Sequence, residues 1–194
     1  MMRQKQMSKD GLVALRDELF LLFDVDDEAG VAAPFAALVM SEVARTDRIE
    51  PWMTEAELSD FAIAASLYLE TVSDYRGFDD VEGWRHGVAH GADWLLQLVL
   101  NDRLTELEHK AIMDAIGLQV QASGLHAYTE GEPDRLARPV LFFAQKGHWD
   151  EERWKIWLEA VAAPKPMDSW NEAFKSESGL APVSYTHLTL PTKA

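Results

Sequence analysis

The residues best suited to chemistry lie in one stretch, Trp84-Arg85-His86-Gly87-Val88-Ala89-His90-Gly91-Ala92-Asp93, with Gln97 following. On a helix turning 100° per residue, His90, Asp93 and Gln97 fall within about 40° of His86, while Val88, Ala92, Leu95 and Val99 share a separate apolar face. An ordinary solvated stripe carries Lys and Glu, and between Arg85 and Asp93 there is neither. Gly87 and Gly91 make a third, small face. Two glycines one turn apart each cost about 1 kcal/mol relative to Ala, so they point to close approach by another helix or by a ligand.

Two kinds of chemistry are open to this cluster. Imidazoles at i and i+4 can share a metal ion, Zn²⁺ above all. His86 and Asp93 are separated by about 10 Å along the helix axis, so His126, Glu130 or Glu132 would have to complete the shell. The glutamate that follows the first histidine of zinc proteases is missing, the intervening residues being Gly87, Val88 and Ala89. Alternatively, His90 acts as a general base oriented by Asp93, in a groove that also holds Trp84 and Arg85. No nucleophile is evident; Ser123 and Tyr128 qualify only by nearness to His126 in sequence. Against both stands a structural role, with Asp93 fixing a histidine tautomer and Glu132 pairing with Arg135 at a helix N-terminus. No cofactor is expected beyond the zinc of the metal reading.

The elements that would position these residues are helical. Leu12, Leu15, Leu19 and Leu22 recur at helical steps behind Ser8 and Asp10. Pro34 opens a second helix with Phe35, Leu38, Val39 and Val43, and Thr54 with Glu57 caps a third carrying Leu58, Phe61, Ala65 and Leu69. The spacing predicts a fourth helix from about Val81 to Leu100 and a fifth behind the capping box of Thr105 and Glu108. After the turn-rich stretch Tyr128 to Pro133, Leu136, Val140 and Phe143 form one face closed by Gly147, and Trp154, Leu158 and Val161 another closed by Pro164. Asp168 through Phe174 suggests a short last helix. Trp149, Trp154 and Trp157 at this spacing read as core or interhelical seam. No run alternates with period two for long enough to read as a strand, and no glycine-rich phosphate loop occurs. The expectation is an all-α chain of about seven helices, antiparallel pairs stacked as an α/α superhelix of the HEAT or armadillo kind.

Composition narrows the function classes. With 47% hydrophobic residues in 194, one core suffices and a single domain over residues 8–176 is expected. The net charge of −15, with its basic residues scattered among carboxylates, disfavours nucleic acid and anionic membranes as partners. The absence of Cys excludes disulfides, thiolate metal sites and Cys nucleophiles. Neither a secretory signal nor a bilayer-spanning stretch is legible, and a cytoplasmic location is expected. The tail at 183–194 looks like the translation of a sequencing adaptor and is expected not to be native, which would leave the domain truncated.

By Tyr75-Arg76-Gly77-Phe78, the run Gly83-Trp84-x-His86-x-x-x-His90-x-x-Asp93, and the flanking Pro34-Phe35-Ala36-Ala37-Leu38 and Gly131-Glu132-Pro133-Asp134-Arg135-Leu136-Ala137, the chain resembles the bacterial DUF2785 family over about Leu12 to Val161. That resemblance implies an all-α, superhelical fold and no established activity. It also implies helical sequence before the equivalent of Leu12. The reading that fits these residues is a non-catalytic helical module binding a protein or small-molecule ligand in a groove lined by Trp84, Arg85, His86, His90, Asp93, Gln97, Glu132 and Arg135. Its alternative is a small-molecule enzyme, metal-assisted and hydrolytic, centred on His86 and His90.

Overall fold

The computed structural model describes residues 6–81, 83–120, 128–164 and 167–175. Their elements are α1 (Lys9–Leu21), α2 (Ala32–Ile49), α3 (Glu55–Thr71), β1 (Phe78–Asp79), β2 (Gly83–Trp84), α4 (Gly87–Val99), α5 (Glu106–Gln119), α6 (Glu132–Lys146), α7 (Glu151–Val161) and α8 (Trp170–Ala173). The all-helical expectation holds, with eight helices among the described residues. The expected caps form: Ser8 accepts from the Gly11 N–H, and both Thr54/Glu57 and Thr105/Glu108 close reciprocal capping boxes. The sequence reading missed the start of α2, where Asp27 accepts the N–H groups of Ala29, Val31 and Ala32. The 183–194 tail, His126 and Ser123 lie outside the described residues.

The helices pack as two rows, α2, α4 and α6 in one and α3, α5 and α7 in the other, with α1 on α2. Helices within a row run parallel. Pro34 and Arg48 of α2 meet His90 and Gln97 of α4, and Ser59 and the C-cap Val72 of α3 meet Glu108 and Gln119 of α5. Successive helices from α2 to α7 are antiparallel across the rows, so the end of α3 lies on the start of α4, where the Tyr68 hydroxyl donates to the Gly87 carbonyl at 3.3 Å. Phe61, Trp94, Leu95, Ile112, Met113 and Phe143 are fully buried between the rows. Trp149, Trp154 and Trp157 form an edge-to-face seam with Phe143, and Trp157 Nε1 donates to the Met113 carbonyl at 2.9 Å, tying α7 to α5.

Two expectations need correction. Helix α4 starts at Gly87, not near Val81, and two short antiparallel strands precede it, with Phe78 opposite Trp84 and Asp79 opposite Gly83. The backbone beyond β2 continues this pairing, since the Arg85 N–H donates to the Gly77 carbonyl (2.9 Å) and the His86 N–H to that of Arg76 (3.2 Å). Inside the pair, the buried Arg85 guanidinium donates to the Ala29 carbonyl at 2.6 Å and to Asp79. A buried charge needs partners that a helix starting at 81 would have withdrawn, so the hairpin wins over helix propensity.

At the opposite end of α4 a second buried charge organises the turns. Asp47 is fully buried and accepts from the N–H groups of Trp52 (2.9 Å) and Met53 (2.8 Å), from Asn101 Nδ2 (3.2 Å) and from Arg103 (2.9 Å). One carboxylate thus joins the α2–α3 and α4–α5 connections. Replacing Asp47 with Ala strands two backbone donors and a guanidinium, and urea unfolding is expected to show a loss of about 3–5 kcal/mol. A loss below about 1 kcal/mol would show that these connections close without it.

Candidate functional site

The predicted stripe is assembled by three helices, not by one. His86 is the N-cap of α4 and sits in the left-handed region (φ 57°), the only non-glycine residue to do so among the described residues. Strand pairing on one side and helix on the other impose that conformation, at a cost on the order of 1–2 kcal/mol. The His86 ring lies between those of Trp84, 4.6 Å away by centroid, and His90, 5.9 Å away. Its Nε2 donates to the Glu130 carbonyl at 2.9 Å and lies 3.4 Å from Glu132 Oε1. Glu132 is itself buried at the start of α6 and accepts from the Glu130 N–H at 2.9 Å.

One turn on, His90 Nδ1 donates to the Pro34 carbonyl at 3.0 Å, which leaves Nε2 as the unprotonated nitrogen of a neutral ring. Burial pushes its pKa down to about 4; the Pro34 hydrogen bond opposes this, and the nearby His86 and Arg135 add to it. The edge of the ring meets Phe35 at 5.5 Å. Asp93 pairs with Arg135 of α6, and burial raises its carboxyl above the usual range against the pull of Arg135 and Arg138. Gln97, at the far end, accepts from Arg48 of α2 at 3.2 Å.

Every member of the stripe is therefore engaged with a neighbouring helix or loop. The expected His90–Asp93 dyad does not form, because Asp93 is held by Arg135 and the protonated nitrogen of His90 by a backbone carbonyl. The expected Glu132–Arg135 pair does not form either, since Glu132 faces His86 and Arg135 reaches across to α4. Arg85 is drawn away from the group into its contacts with Ala29 and Asp79. Tyr128 is buried and donates to the Gln119 carbonyl at 2.9 Å. Among the described residues, no group of three or more His, Asp or Glu side chains is placed to hold a metal ion. The two glycines receive Tyr68 of α3. A Cβ on Gly91 would lie 3.0–3.2 Å from Leu69 and Tyr68, and one on Gly87 would lie 3.3 Å from the Tyr68 hydroxyl.

The structure adds two groups that the sequence reading missed, the Pro34 carbonyl and the Phe35 ring. A backbone acceptor leaves no residue signature, and Phe35 reads in sequence as core. Yet Phe35 and Trp84 are 44% and 46% exposed. Together with Leu19, Leu22, Ala36 and Val39 they border a shallow apolar concavity of about 530 Å³ beside the two histidines.

Two outcomes follow. His90→Gln can still donate to Pro34, whereas His90→Leu removes that bond between α4 and α2 and leaves the carbonyl only its helical partner, so the Leu variant is expected to be less stable by about 0.5–1.5 kcal/mol. Wild-type melting is expected to be indifferent to added Zn²⁺; a rise in Tm abolished by both substitutions would restore the metal site. The second outcome concerns pH. His90 and the buried His109 both titrate at about 4 in the fold against 6.5 ordinarily, burial being the first cause in each. As pH falls the unfolded chain takes up these protons first, so stability is full above about 6.5 and is lost between 6.5 and 4. Tm is expected to fall over that window, less steeply in His90→Gln; equal slopes would show that His90 is not held neutral.

The family model described as "Protein of unknown function (DUF2785)" matches residues 19–190. No curated protein and no solved structure matches the chain.

Proposed function

The chain belongs to the DUF2785 family, and for this member we propose a non-catalytic helical binding module that receives a partner on the α2/α4/α6 face around His86, His90 and Asp93. One observation carries the reading. The polar groups of the stripe are consumed in holding helices together, while the aromatic groups beside them, Phe35 and Trp84, stand half exposed. An acid–base or metal centre needs the reverse, polar atoms converging on an open point.

A protein segment suits this surface better than a small molecule. Half-exposed aromatic side chains with an apolar floor and a polar rim resemble the anchors of protein interfaces, and the concavity is too shallow to enclose a ligand. A chain of net charge −15 repels nucleic acid. No described helix is long and apolar enough to cross a membrane. The alternative, a small-molecule enzyme centred on His86 and His90, draws its support from His90 Nε2, kept unprotonated at neutral pH and thus able to accept a proton.

The test is a photo-crosslinking amino acid placed at Trp84 in cells of the source organism, with Leu107, 65% exposed on α5, as control position. A discrete adduct at position 84, absent at 107 and lost with His86→Ala, is expected. No adduct at 84, or the same pattern at both positions, would count against the module.

A further inference from the structure

We propose that the cavity between α1, α3 and the start of α4 is a binding site for a small organic cation, an amine or quaternary ammonium with an apolar body. This site adjoins the α2/α4/α6 face at Pro34 and Gly87 but shares no lining residue with the concavity at Phe35 and Trp84, and its test stands apart from the reading above. The cavity is open to solvent on one side and measures about 600 Å³, within the range of small-molecule sites. Small residues leave the room: Gly30, Ala33, Ala64 and Gly87 all border it.

Its chemistry comes from aromatic rings and carboxylates. Phe20, Phe23, Tyr68 and Trp94 line it. Phe23 stacks on Trp94 (5.8 Å, 18°) and tilts against Tyr68 (5.1 Å), and Phe20 lies 6.5 Å from Trp94. The π faces of such rings attract a cation placed within about 6 Å, most strongly when it is shielded from water. Trp94 is fully buried, and its indole N–H has no acceptor among the described residues. A buried donor without a partner costs about 1–3 kcal/mol. That cost stays inside the fold, because neither the Trp94 ring nor its N–H is open to the cavity, and the rings a ligand meets are those of Phe20, Phe23 and Tyr68.

Asp24 and Asp74 are the charged residues of the lining, and the guanidiniums of Arg76 and Arg85, held by Asp74 and Asp79, lie beside it at Gly30. Asp74 is bound by Arg76, with Nε–Oδ1 at 2.8 Å, so its charge is spoken for. Asp24 is exposed and makes no ion pair among the described residues, and it begins the acidic run Asp24-Val25-Asp26-Asp27-Glu28 that lies between α1 and α2 beside the cavity. A cation entering there meets a field that the net charge of −15 reinforces, and an anion is repelled.

Three probes of nearly one size separate charge from apolar fit: phenethylammonium, 2-phenylethanol and phenylacetate, titrated calorimetrically into the full chain at about 0.15 M salt. The ammonium is expected to saturate with a Kd at least about tenfold below that of the alcohol, and the carboxylate is expected not to bind. Asp24→Asn should weaken the ammonium by about three- to tenfold and leave the alcohol unchanged. Ala64→Phe, which fills the cavity, should abolish both; if it fails to fold, Ala33→Leu replaces it. The site is overturned if ammonium and alcohol bind equally, if Asp24→Asn leaves the ammonium unaffected, if binding survives the filling variant, or if the ammonium does not saturate by about 10 mM.

Discussion

Everything in this structure accommodates the fact that α4 has helices on four sides: α2 and α6 beside it, α3 and α5 behind it. A helix so enclosed has almost no surface left for solvent, and Gly87 through Ala92 are all buried. Two demands follow. Its neighbours must come close, which the glycines allow by admitting Tyr68 and Leu69 to where a Cβ would stand. Its polar side chains must find partners inside the protein, because a buried polar atom without one costs more than a hydrogen bond returns.

The second demand explains the histidine stripe. His90 and Asp93 lie where an enzyme would want a base and its orienting carboxylate, yet each is used to join α4 to a different neighbour. The Pro34 carbonyl can serve His90 because a carbonyl oxygen accepts two hydrogen bonds: the helical N–H of Leu38 takes one lone pair in the first turn of α2, and the other is left for the His90 ring. His86 extends the same logic to the loop before α6, through the Glu130 carbonyl. The stripe works as a set of cross-links along the first row, much as the tryptophan seam does for α5 and α7.

At the two ends of α4, buried charges take over from apolar packing. Arg85 fastens the hairpin to the α1–α2 loop, and Asp47 gathers the turns at the other end. Asp47 accepts from two backbone N–H groups and Arg85 donates to one backbone carbonyl, and each charge is also matched by side chains from another segment. Between them the apolar core sets how the rows stack, and the charges set how the chain turns from one row to the next.

Much of this was legible in sequence. The helical periodicity, the capping boxes at Thr54 and Thr105, the αL closure at Gly147 and the tryptophan seam are local or nearly local properties, governed by spacing of three to four residues and by caps within one turn. The all-α class followed from them, and the likeness to DUF2785 rested on particular residues, the run from Gly83 to Asp93 and its flanking segments. What sequence alone did not reach was the start of α4, the pairing of Asp93 with Arg135 rather than with His90, the separation of Glu132 from Arg135, and the exposure of Phe35. Apart from the short hairpin before α4, these depend on groups more than 40 residues apart, such as Pro34 with His90 or Asp93 with Arg135, and on backbone carbonyls that every residue carries alike. Periodicity determined which face of α4 would be polar; only the packing of α2 and α6 against it decided which partners that face would meet, because desolvated polar groups bind whatever donor or acceptor the neighbouring helix brings within reach.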